Sequence, residues 1–176
     1  MKILAIIVLS LLVLAACTAD KDWRTASREP AGIAPDPAVT REAVLHVYGA
    51  PAWGWRGWFA IHTWIAAKRS GETTYTVYEV IGWRQYRGQP VLRIETDLPD
   101  RFWYGEKPHL LKEHRGDGVD KLIAAVDLAA RAYPWPNSYS AFPGPNSNTF
   151  TAWVAQQVPE LGLSLPLTAI GSGYTN

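Results

Sequence analysis

The residues best placed to do chemistry lie in one short segment, Pro143-Gly144-Pro145-Asn146-Ser147-Asn148-Thr149-Phe150. Small polar residues leave a Pro-Gly loop and enter an apolar-periodic stretch, the pattern of a helix N-cap. The simplest role for the segment is that cap. A hydroxyl at a helix N-terminus has a second use, because unpaired N–H groups and the positive end of the macrodipole favour developing negative charge. Ser147 is therefore the candidate nucleophile. It needs a base, and His62 sits mid-strand in the first half of the chain. Glu79 lies between Tyr78 and Val80 on the next strand and could orient that imidazole, since a carboxylate among apolar neighbours wants a partner. Nucleophile, base and orienter make an acyl-transfer constellation recognised by roles, not by chain order. The catalytic reading requires Ser147 Oγ and His62 to approach within about 3–4 Å, with loose geometry allowed without substrate.

Asn146-Ser147-Asn148-Thr149-Phe150 resembles the Asn-Cys-Asn-x-Phe signature that opens the catalytic helix of circularly permuted papain-like (NlpC-type) peptidases and acyltransferases. In those families a strand histidine comes first, a polar partner follows on the next strand, and the cysteine comes last on a helix. His62, Glu79 and Ser147 stand in that order. The resemblance implies a permuted papain-like fold and a cleft in which Asn146, Asn148, Arg56 and Trp64 would bind substrate. It departs at the nucleophile, where a hydroxyl replaces a thiol and depends wholly on its base. Two functions follow as alternatives: a Ser-His-Glu hydrolase or acyltransferase, or a non-catalytic module that keeps the cleft and binds peptide, glycan or a partner protein. A broader resemblance rests on Trp53-Gly54-Trp55-Arg56-Gly57, His62-Thr63-Trp64-Ile65, Tyr78 to Trp83, Pro143 to Phe150 and Ala169-Ile170-Gly171. Together these resemble an uncharacterised bacterial lipoprotein family typed by the Pro-Gly-Pro-Asn-Ser-Asn-Thr-Phe motif, which implies no established activity.

Other polar residues suggest less. His109 and His114 are five apart, with Glu113 and Asp117 near, but the spacing is loose for a helical pair and the surroundings read as a loop. No metal site and no cofactor is expected. His46, amid Val44, Leu45 and Val47, reads as a strand residue facing solvent or a core hydrogen bond. Arg56 lies between Trp55 and Gly57, and stacking on an indole is the favoured role over binding a substrate carboxylate. Asp97, Asp100 and Glu106, beside Trp103 and Tyr104, read as a solvated loop in preference to a sugar-binding rim.

The elements that must position these groups are strands first, helices second. Ala43 to Tyr48, Trp58 to Ala66, Thr73 to Trp83 and Gln89 to Thr96 read as about four strands of a meander, rich in β-branched and aromatic residues. Trp58 to Ala66 carries apolar residues on both faces and predicts a strand in mid-sheet. Asp117 to Tyr133 has helical spacing and stops at Pro134, and a second helix runs from about Asn148 to Gln157. The expected class is α+β, an antiparallel meander packed on two helices.

The N-terminus carries an address. Lys2 precedes an apolar run from Ile3 to Ala16, which ends in Leu14-Ala15-Ala16-Cys17. This is a lipoprotein signal, with residues 1–16 the signal peptide and Cys17 the acylated residue. Residues 17–40 are polar and Pro-punctuated and read as anchor and linker, with 41–176 a single domain. The expected partner is the membrane, through the lipid on Cys17, with a cell-wall or other envelope ligand for the cleft. Thr18 in place of Asp leans towards the outer membrane, facing the periplasm. Of 17 Lys and Arg, Lys2 leaves with the signal, so the remainder balance the 16 Asp and Glu. A neutral chain without a basic run gives no footprint for nucleic acid. Cys17 is the sole cysteine, so a covalent nucleophile in the domain must be an oxygen. Nine Trp with 13 Pro and 14 Gly suggest a loop-rich domain whose aromatics form either core plates or a binding groove.

Overall fold

The computed structural model describes residues 22–174; the expected signal peptide and Cys17 lie outside them. Five antiparallel strands form one sheet in the order β4-β3-β2-β1-β5. They are β1 (Val44–Pro51), β2 (Ile61–Lys68), β3 (Thr76–Val80), β4 (Leu92–Thr96) and β5 (His109–Arg115). Two helices follow, α1 (Val119–Arg131) and α2 (Ser147–Gln157), so the architecture is α+β. β1 to β4 run as a meander, and β5 returns to the free edge of β1. β2, apolar on both sides, is the central strand, as its composition predicts.

Strand alternation divides the core into two layers. Leu45, Val47, Ile65, Ala67, Tyr78 and Val80 face the helices and pack on Ile123, Val126, Phe150 and Val154. Val44, Tyr48, Trp64, Ala66, Val77 and Ile81 face the other way and pack on Trp103. At roughly 25 cal/mol per Å² of apolar area, the two layers together supply the main stabilisation.

The second face is closed by loops, and here the structure departs from the sequence reading. Residues 17–40 read as a linker, yet from Ser27 the chain is strapped to the domain. Phe102 N donates to Glu29 O, Ala31 N to Asp100 O and Gly105 N to Ser27 O. The buried Asp100 carboxylate accepts from the N–H groups of Ile33 and Ala34. This aspartate is thus a fastener for the strap, not part of a solvated loop. Residues 109–115 also differ from the loop expected there: they form β5, because their backbone groups complete the β1 ladder. His114 Nε2 is hydrogen-bonded to Leu161 O. Among the described residues no group of three or more His, Cys, Asp or Glu is placed to hold a metal ion. No described helix is long and apolar enough to cross a membrane.

The strand bounds are narrower than expected at two places. Gly54–Trp58 and Gly82–Arg87 are short 3-10 helices, so β2 begins at Ile61 and β3 ends at Val80. These turns stand at the same end of the sheet as the start of α2, and they form walls of the site.

Candidate active site

The start of α2 is built by its own sequence. Asn146, not Ser147, is the N-cap: its Oδ1 accepts from Asn148 N at 2.9 Å and Thr149 N at 3.1 Å. Thr149 Oγ1 accepts from Asn146 N, completing a capping box. The Asn146 amide donates to Ala141 O and Ile170 O, and the Asn148 amide to Ile61 O and Ile170 O. Thr63 Oγ1 is hydrogen-bonded to Asn148 Oδ1 and Thr151 Oγ1, pinning α2 to the first part of β2. Gly171 closes against this cap at φ +92°, where an added Cβ would lie 2.2 Å from Asn146 Nδ2. The amides of Asn146 and Asn148 are therefore spent on holding the helix.

Ser147 differs from its neighbours. Its carbonyl accepts from Thr151 Oγ1 and Thr63 Oγ1, but its Oγ and its N–H make no hydrogen bond within the described residues. Both free groups belong to a residue lining a cavity of about 590 Å³.

His62 reaches the same cavity from the sheet. Thr63, its neighbour, bonds α2, so alternation sends His62 to the opposite face of β2, among Trp64 and Trp103. Its place as the second residue of the strand brings it to the sheet's end, where the cavity wraps round. No hydrogen bond joins Ser147 to the imidazole. The ring lies flat on Trp103, with centroids 3.6 Å apart and planes at 9°. His62 Nε2 is 3.6 Å from Glu79 Oε2, longer than a formed hydrogen bond, and has no other partner. Burial lowers the pKa of His62 and outweighs the nearby Glu79 carboxylate, so the imidazole is neutral near pH 7.

Glu79 stands behind His62, fully buried. Arg101 Nη2 donates to both of its oxygens, at 2.6 and 2.7 Å, and Arg93 Nη1 donates to Oε1. Burial opposes its charge, but His62, Arg101 and Arg93 together hold it ionised, with a pKa of about 2. Asp97 joins the cluster through Arg93 Nη2 at 2.6 Å.

Five of the seven residues singled out from sequence line the cavity: Ser147, His62, Asn146, Asn148 and Arg56. Glu79 lies one layer behind. The Arg56 guanidinium is 5.5 Å from the Trp55 ring centroid. Trp64 is a correction. It is wholly buried, its indole N–H donates to Pro99 O at 2.8 Å, and it does not line the cavity, so it carries core packing in place of substrate contact. Sequence reasoning missed Trp83, Trp103 and Tyr139 in the wall, and Arg93 and Arg101 on Glu79. A buried carboxylate signals that some cation must be near, but not which one.

Each of the five sequence blocks compared above contributes to this wall, through Trp53, His62, Gly82, Ser147 and Ile170 among others. One family model, described as a protein of unknown function, matches residues 42–174. The chain belongs to the DUF3750 family. The DUF3750 match takes in all five strands, both helices and the whole cavity wall. No curated protein and no solved structure matches the chain significantly. For this DUF3750 domain, then, the site's chemistry must be argued from its own geometry.

Proposed function

We propose that this domain is a serine-type acyl hydrolase or acyltransferase of the bacterial cell envelope, with Ser147 as nucleophile, His62 as base and Glu79 as orienter. One observation carries the reading: Ser147, whose hydroxyl and N–H are unspent at a helix N-terminus, lines the same cavity as a neutral histidine backed by a buried carboxylate. Ser147 Oγ attacks the acyl carbonyl carbon and its proton passes to the His62 imidazole. The oxyanion gains the Ser147 N–H. Collapse expels the alcohol or amine, which takes the proton from His62. Water, or an acceptor hydroxyl, then gives its proton to His62 and attacks the acyl-serine; the Ser147 Oγ–acyl bond breaks, Ser147 takes the proton back from His62, and the acid or the transferred ester is released. Glu79 stabilises the transient imidazolium. The short resemblance of Asn146-Ser147-Asn148-x-Phe150 to permuted papain-like enzymes supports the same assignment. The lipid anchor expected at Cys17 would hold the enzyme in the envelope, on the outer membrane facing the periplasm, near acylated or cell-wall substrates.

A second reading, a binding module without catalysis, is favoured by two other facts. Glu79 is already engaged by two arginines, and no hydrogen bond links Ser147 to His62. Labelling with a serine-reactive alkyl phosphonate separates the two. The catalytic reading expects labelling of the intact protein that disappears in Ser147→Ala and falls at least tenfold in His62→Ala. Equal labelling of wild type and Ser147→Ala rejects it in favour of the binding module.

A further inference from the structure

Exposed aromatic residues are not scattered on this protein. Among the described residues, the exposed aromatic side chains are Trp23, Trp55, Trp58, Phe59, Tyr86 and Phe142. Trp55, Phe59, Tyr86 and Phe142 line the cavity mouth, and Trp58 belongs to the same 54–58 turn. Trp58, Tyr86 and Phe142 are 87, 90 and 77 % exposed, more than a cavity wall needs. Trp23 lines an adjoining hollow with Trp53, Trp83, Arg87 and Tyr104. A soluble surface seldom gathers so much aromatic area without a partner.

Charge on the four segments that frame the cavity mouth has one sign. Segments 52–61, 82–91, 137–148 and 166–174, which frame the mouth, contain Arg56, Arg84 and Arg87 and no Asp or Glu. At the strap, Asp22 is offset by Arg24, 3.7 Å away. Aromatic side chains interleaved with arginines match the headgroup layer of an anionic bilayer, where indole rings sit at the interface and cations meet phosphate. The chain's own course points the same way. The described chain begins beside this face, with Trp23 in the adjoining hollow. Cys17, the expected lipid site, precedes Trp23 by six residues, a reach of at most about 20 Å. A lipid there would hold this face, not the opposite side of the sheet, towards the membrane.

We propose that the aromatic–arginine rim of the cavity is a membrane-docking surface whose partner is an anionic phospholipid bilayer. The proposal does not rest on catalysis at Ser147. It places the cavity mouth at the lipid surface, whatever chemistry follows inside.

Tryptophan quenching by lipids brominated near the headgroup end of the acyl chain tests it on the full chain. Residues 1–22 contain no Trp, so the N-terminal apolar run supplies no emitter, and any quenching of Trp23 beside the anchor persists in Trp55→Ser/Trp58→Ser and is told apart by that variant. The protein is reconstituted in phosphatidylcholine vesicles with and without phosphatidylglycerol. Docking predicts strong quenching that rises with phosphatidylglycerol and falls at high salt. Most of it should be lost in Trp55→Ser/Trp58→Ser. In Arg84→Gln/Arg87→Gln the dependence on phosphatidylglycerol should weaken by roughly fivefold per cation removed. No quenching of the unsubstituted protein in either vesicle overturns the proposal, and that result does not depend on any variant folding. Equal quenching in wild type and Trp55→Ser/Trp58→Ser also overturns it. So does concentration-dependent self-association that shields these residues in the absence of lipid, which would make the face a contact between two copies.

Discussion

The imidazole of His62 lies flat on the indole of Trp103, centroids 3.6 Å apart, so a loop residue forms the plate on which the candidate base rests. Trp103 is buried in turn between Trp64, Trp83 and Tyr104. The stack keeps water from one side of the ring and so contributes to the burial that lowers its pKa. Trp103→Leu should let water in and move the His62 titration, followed by NMR of its ring protons, upward towards 6.5. An unchanged titration in a folded variant would place the cause of the depression elsewhere.

Glu79 is the electrostatic centre of the second sheet face. Glu79→Gln leaves Arg93 and Arg101 without their shared carboxylate in a buried site, a loss of about 3–5 kcal/mol by analogy with other broken buried pairs. Urea denaturation should show it as a lower midpoint with little change in slope. A loss below about 1 kcal/mol would mean that Asp97, hydrogen-bonded to Arg93 at 2.6 Å, is sufficient to hold the cluster.

Acid should destabilise the protein in two stages. His46 and His62 both have folded pKa values depressed below 6.5 by burial. The unfolded chain therefore binds protons more readily, and stability falls as pH drops from about 6.5 through the folded values. Glu79, ordinarily near 4.5 and held at about 2, adds a second loss as pH falls from about 4.5 towards 2. Urea midpoints measured across this range should be level above about pH 7 and decline in both windows. His46→Phe/His62→Phe should flatten the upper window and, because His62 helps hold the Glu79 pKa down, narrow the lower one without abolishing it.

Gly171 tests the cap of α2. Gly171→Ala would put a Cβ 2.2 Å from Asn146 Nδ2 at a left-handed φ, so the Asn146 side chain or the 169–172 turn must move. A loss above about 2 kcal/mol is expected, from backbone strain plus a broken cap. Gly54→Ala is the control, since its φ of +69° carries the strain while nothing lies within 4 Å of the new Cβ. Its loss should stay near 1–2 kcal/mol. Equal losses at the two positions would show that the contact with Asn146 is not decisive.

Asn148→Ala should separate framework from ligand binding. Its amide spans Ile61 O and Ile170 O, and its Oδ1 accepts from Thr63, so the substitution removes three hydrogen bonds; Ile170 O keeps Asn146 and Thr63 Oγ1 keeps Thr151, while Ile61 O loses its side-chain donor. A drop of about 2–4 kcal/mol in thermal or urea stability is expected. Unchanged stability would return Asn148 to the role of a ligand contact.

Much of this protein is determined locally and could be read from the chain. The order of strands before helices, the central place of β2 and the capped start of α2 follow from apolar alternation, helical spacing and an Asn-Ser-Asn entry after Pro-Gly-Pro. These signals depend on neighbours within a few residues. Alternation from Trp64 also places His62 on the Trp64 side of β2, but the chain alone does not say that α2 packs on the other side. Tertiary structure decided that β5 pairs with β1, that residues 27–34 bind back on the sheet and that Trp64 is sealed under Pro99. It also chose Arg93 and Arg101, 14 and 22 residues beyond Glu79, as the partners of that carboxylate. Edge pairing and ion-pair choice are settled between groups distant in sequence, because a backbone N–H or a buried carboxylate accepts any suitable partner that the fold delivers. The residue types Ser147, His62 and Glu79 were legible as chemistry. That Ser147 and His62 line a single cavity, with Glu79 behind His62, was a product of packing α2 against β2.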